Sequence, residues 1–93
     1  MDFEEKFKEI RSLIADEKLE EAISELDIII SQDANQDTAF YLKGNVYRKK
    51  QDWRLAINNY TYALEINPES PASAARTMCV EILNFYDITM YNH

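Results

Sequence analysis

The chain has one glycine, and it falls inside a helical pattern, where a glycine needs a reason to be. Within residues 37–70 (DTAFYLKGNVYRKKQDWRLAINNYTYALEINPES), Phe40, Gly44 and Tyr47 share one helical face, and Trp53, Ile57, Tyr60 and Leu64 share one face of the next. A mid-helix glycine costs about 1 kcal/mol relative to alanine. It suits a place where a neighbouring helix must come closer than a side chain allows. Ala56 and Ala63 offer small surfaces on the second helix. Asp52 is placed to cap that helix. Asn67-Pro68 ends it, because the residue before proline avoids the helical region and proline donates no backbone hydrogen bond. The segment reads as two short antiparallel helices meeting at Gly44, with Phe40, Tyr47, Trp53 and Tyr60 in the core.

This order of a bulky residue, Gly44, an aromatic, Ala56, an aromatic, Ala63 and Pro68 closely resembles the tetratricopeptide repeat, a unit of about 34 residues. A shift by the same period lays Leu19 on Trp53, Ala22 on Ala56, Ile23 on Ile57, Leu26 on Tyr60 and Ile30 on Leu64. Residues 3–36 are therefore expected to be a degenerate copy of residues 37–70. Ile10 stands in the Gly position, Ile29 in an Ala position and Ala34 in the Pro position, so the first helix pair should pack less closely than the second. Residues 71–93 match only the first helix of a third repeat and are expected to form a capping or association helix with a tail. Ser70-Pro71 is its start signal. The resemblance implies one all-α domain over residues 1–93, with antiparallel helix pairs stacked in a right-handed superhelix. The five helices are expected near 2–15, 18–32, 37–50, 53–67 and 71–88.

Charge narrows the partners. The net charge of −7 sits wholly on residues 1–36, with four basic and eleven acidic side chains, while residues 37–93 carry six of each. Nucleic acid is not expected as a partner, since phosphate binding needs clustered Lys and Arg. The acidic third is expected to keep the molecule soluble. The start of the chain lacks the apolar core of a signal peptide, and no run is long enough to span a membrane. One cysteine suits a reducing compartment, and a cytoplasmic location is expected.

Catalysis is not expected. The single His93 ends the chain, and Cys79 lies in an apolar stretch of the fifth helix, where it reads as a small buried hydrophobe. No metal-ligand spacing is present, no phosphate-cradling loop exists, and no cofactor is expected. The acidic clusters Glu4-Glu5-Glu9 and Glu17-Glu20-Glu21 read as solvated helix faces. Arg48-Lys49-Lys50, near Arg54, ends the third helix, where cations are favoured by the helix dipole.

The resemblance also implies a concave groove lined by the first helix of each pair, binding an extended peptide or partner helix. Some members grip a C-terminal carboxylate there, but those positions fall here on Phe7, Arg11, Leu42, Ala72 and Arg76, and only Arg76 keeps the expected type. The expected groove lining is Phe7, Arg11, Ile14, Tyr41, Asn45, Arg48 and Arg76, suited to a peptide with acidic and apolar side chains. Tyr41, Asn45 and Arg48 are expected to project away from the Phe40/Gly44/Tyr47 stripe, so that changing all three to Ala would leave the fold intact. The fifth helix carries an apolar arc of about 180°, wider than the stripe of an ordinary surface helix. Met78, Ile82, Phe85 and Tyr86 are accordingly candidates for an association face, with a homodimer as the alternative to peptide binding. A tail folded back from Asp87 could otherwise cover that strip.

Overall fold

A computed structural model describes residues 2–91, with side-chain surroundings described for residues 2–85. Five helices follow one another: α1 Glu4–Ala15, α2 Leu19–Gln32, α3 Asp37–Lys49, α4 Trp53–Ile66 and α5 Ala72–Tyr91. There is no strand among the described residues. Short connections fold consecutive helices back on each other. Helix α3 touches every other helix, while α2 and α4 do not meet. The result is two layers, α1, α3 and α5 in one and α2 and α4 in the other. The least extent of the molecule, 18 Å, suits two helices of roughly 10 Å each.

The 34-residue period extends to backbone geometry. Glu17 and Gln51 both take the left-handed conformation, with φ of 63° and 62°. Each closes the helix before it in the same way. The N–H groups of Lys18 and Glu17 donate to the carbonyls of Leu13 and Ile14, and those of Asp52 and Gln51 donate to Tyr47 and Arg48. This is the Schellman helix end, which usually carries glycine at the left-handed residue. The same period relates Asp33 and Asn67, which end α2 and α4 in extended conformation. Their side-chain oxygens accept from the N–H groups of Asn35 and Glu69, at 3.0 Å in both cases.

A non-glycine residue held left-handed costs about 1–2 kcal/mol. Gln51→Gly should therefore stabilise the fold by a net ~0.5–1 kcal/mol, once the extra chain entropy of glycine is subtracted. A thermal melt should show Tm rising by about 2–6 °C. An unchanged or lower Tm would mean the turn carries no strain.

Two core clusters fill the space between the layers. The first holds Phe3, Phe7, Ile10 and Ile14 with Ala22, Leu26, Ile29, Ala39, Leu42 and Val46. The second holds Ala56, Tyr60 and Ala63 with Ala72, Ala75 and Cys79, and Phe40, Tyr47 and Trp53 pack half-buried against it. As expected from Ile10 and Ile29, α1 and α2 approach each other at far fewer points than α3 and α4 do. Three ion pairs run from α3 and its C-cap, Lys50, to the first repeat. Lys43 meets Asp27 at 2.7 Å, Lys49 meets Glu17 at 2.8 Å, and Lys50 meets Glu20. Much of the basic cluster at the end of α3 is thus used internally, against the acidic third of the chain.

Asp52 caps α4, accepting from the N–H of Leu55 at 3.2 Å, and Ser70 caps α5, accepting from that of Ala72 at 3.1 Å. Helix α5 runs further than residue 88, reaching Tyr91, so the backbone does not fold back after Asp87. It also breaks the period. The interior face of α3 is Ala39, Leu42 and Val46, and the residues one period on are Ser73, Arg76 and Val80. An unpaired arginine is too costly to bury. The helix is turned so that Ala72, Ala75 and Cys79 face inward, while Ser73 and Arg76 stay exposed.

Candidate functional site

Helices α3 and α4 approach each other closely at Gly44. A Cβ built on Gly44 would stand 2.5 Å from both Cδ1 and Cε1 of Tyr60. The glycine is therefore a notch for the Tyr60 ring, and the ring is fully buried. Tyr60 crosses that notch, and its hydroxyl donates to Oδ1 of Asn45 at 2.5 Å. Tyr41 packs against the same ring, with centroids 6.0 Å apart. Burial raises the pKa of Tyr60 far above the ordinary tyrosine value, and the positive charge of Arg48 opposes that rise in part. Arg48 acts likewise on the buried Cys79 thiol, which burial also pushes up. Arg48 therefore lies within electrostatic reach of both α4 and α5.

Folding holds the Tyr60 proton more firmly than the unfolded chain does, where tyrosine titrates near pH ~10. The stabilisation is fully present below that pH and is lost as pH rises beyond it. Wild type should lose Tm between about pH 9.5 and 11 more steeply than Tyr60→Phe, which has no phenol to ionise at that site. Parallel curves for the two proteins would contradict the assignment.

The expected groove residues separate into three groups. Tyr41, Asn45 and Arg48 do come together, half-buried on α3. They do not simply project away from the core, however. Tyr41 packs against both clusters, and Asn45 is the acceptor for Tyr60. A triple change to Ala would therefore disturb the fold, whereas Arg48 makes no hydrogen bond or ion pair among the described residues. Phe7 and Ile14, at 2% and 8% exposure, are core residues of the first cluster and have almost no surface to offer a groove. Their stripe on α1 is needed to hold α2 and α3. Arg11 is exposed on α1. Arg76 lines a furrow of about 280 Å³ between α4 and α5, with Leu64, Thr77 and Glu81.

Of the association-face residues, Met78 and Phe85 are exposed at 47% and 66%, and Ile82 is half-buried. The Tyr86 side chain lies outside the described residues. The sequence pattern assigned Tyr60 to the core alone and missed its polar end. Tyrosine at a buried position facing a glycine was the available signal, because a buried hydroxyl needs a partner.

The family model of the tetratricopeptide repeat matches residues 38–70. The whole chain is also similar to a solved structure, the solution NMR structure of Bacteroides fragilis protein BF1650. The two are 45% identical with a TM-score of 0.85, and the match covers 99% of this chain and 91% of that one. The chain belongs to the tetratricopeptide repeat family. No match was found among curated proteins. Tetratricopeptide repeats are non-enzymatic scaffolds that serve as protein–protein interaction modules. Within the layer α1, α3, α5, helix α3 is at the centre and touches both of the others. No helix among the described residues is long and apolar enough to cross a membrane.

Proposed function

We propose that this tetratricopeptide repeat protein is a cytoplasmic adaptor that binds an extended peptide or partner helix on its concave face. The observation that carries this reading is the meeting of Tyr41, Asn45 and Arg48 on α3, half-buried where the two core clusters join. An aromatic surface beside polar donors suits a peptide that presents apolar and acidic side chains. Arg11 is exposed on α1, a helix that packs against α3. The test is selection from a random dodecapeptide display library with wild type and with Arg11→Glu/Arg48→Glu as baits. Wild type should enrich a peptide family that the double variant fails to retain. Equal retention by both would move the site off this face.

A second reading is self-association through α5, supported by the exposure of Met78 and Phe85. Helix α5 has 20 residues against 14 in α4, so it extends past its neighbour. Two repeats also fall short of the three or so that usually make such an array stable. Sedimentation at tens of micromolar should then show a wild-type dimer and a monomeric Met78→Glu/Phe85→Glu variant. A monomeric, folded wild type would rule this reading out.

A further inference from the structure

The cations of α3 divide sharply. Its lysines, with Lys50 just beyond its end, are all matched to acidic residues of the first repeat: Lys43 to Asp27, Lys49 to Glu17 and Lys50 to Glu20. Arg48 is the exception. It is half-buried, in the central helix, and in no hydrogen bond or ion pair among the described residues. One helical turn before it, Asn45 is held in a fixed orientation, because its oxygen accepts from the Tyr60 hydroxyl. That leaves the amide nitrogen as the end available to a ligand, and it has no partner among the described residues. No fully buried side-chain nitrogen or oxygen lacks a bond there, so this nitrogen is not fully buried. Residues three apart on a helix are surface neighbours. Arg48 and Asn45 thus place N–H donors at neighbouring positions of α3, with Tyr41 one turn before Asn45.

We infer that Arg48 and the Asn45 amide form a carboxylate-binding subsite, which takes an Asp or Glu side chain from within a bound peptide. The inference rests on the concave-face reading and adds the chemistry that the face recognises. A guanidinium binds a carboxylate through two parallel N–H bonds, and the interaction strengthens where water is partly excluded. Asn45 supplies a third donor at the side. An acidic side chain is favoured over a free chain terminus because the multi-point grip is missing. Three of its positions are Phe7, Leu42 and Ala72, all buried and apolar. Tyr60 is a positioning residue here: its hydroxyl turns the Asn45 nitrogen outward and touches no ligand itself.

Two random dodecapeptide libraries test this, one displayed with its C-termini fused to the carrier and one with free C-termini. Wild type should enrich Asp and Glu in the fused library, and Arg48→Gln should abolish that enrichment. Affinity for the strongest fused-library peptide should fall roughly tenfold or more in Arg48→Gln, and should weaken with added salt. The Tm of Arg48→Gln should match wild type, since the side chain has no internal partner. Changing that peptide's acidic residue to Gln should reproduce the loss in wild type and cause no further loss in Arg48→Gln. Peptides selected without acidic enrichment, or enrichment that survives Arg48→Gln, would overturn the subsite while leaving peptide binding intact. Acidic enrichment confined to the free-C-terminus library would overturn it in favour of a terminal carboxylate. No selected peptide in either library would overturn both readings.

Discussion

Gly44→Leu should lower the unfolding free energy by about 3 kcal/mol, the upper end of the range for overpacking a core. The reason is specific to one contact. The first atom of any side chain at that position meets two ring carbons of Tyr60 at 2.5 Å. The ring cannot readily swing aside, because Asn45 holds its hydroxyl and Tyr41 packs against it. Gly44→Ala separates this contact from helix propensity. Alanine is favoured over glycine in a helix by about 1 kcal/mol, so the substitution would stabilise an open site. Here it should destabilise. In a Tyr60→Leu background the ring is gone, and the same Gly44→Ala change should become neutral or stabilising. Chemical denaturation of the four proteins in this cycle gives the coupling directly. If Gly44→Ala stabilised both backgrounds, the notch would have no role.

Tyr60→Ala should have the larger effect, a loss of about 3–5 kcal/mol as for other buried aromatics. A chain of this size has roughly 5–15 kcal/mol in total and buries a modest share of its surface. Most of the second core cluster depends on this ring, since Ala56, Ala63, Ala72 and Ala75 are too small to fill the space alone. Thermal melts should place Tyr60→Ala at or near the edge of folding at 37 °C. Tyr60→Phe, which keeps the ring and loses the Asn45 bond, should cost about 1 kcal/mol. Equal losses in Ala and Phe would mean that the hydroxyl, and not the ring, holds the two helices.

The helices were legible because their signals are local. Apolar spacing marked each face, Asp52 and Ser70 marked starts, and Asn67-Pro68 marked a stop. Glycine between two aromatics marked the close approach, although not that Tyr60 would fill it. The left-handed turns at Glu17 and Gln51 were not legible, because neither residue is of a type that favours that conformation. They follow from the need to turn a helix back after the same number of residues in each repeat. Tyr41, Asn45 and Arg48 do lie together, half-buried on α3, but the expectation for Phe7 and Ile14 treated position on a face as exposure. Phe7 and Ile14 show the difference. A helix packed on two sides, as α1 is by α2 and α3, buries a stripe wide enough to take in neighbouring positions. The turn of α5 was likewise invisible to a fixed period, because it depends on keeping Arg76 in water.

The most direct measurement is a ¹H–¹⁵N correlation spectrum of the protein, recorded while it is titrated with a peptide selected from the fused library. Binding on the concave face should move the Asn45 side-chain amide, the Arg48 Nε–H and the backbone amides around Tyr41. The amides of α2 and the outer face of α4 should stay in place. Shifts confined to Met78, Phe85 and their neighbours on α5, with Asn45 and Arg48 unmoved, would contradict it.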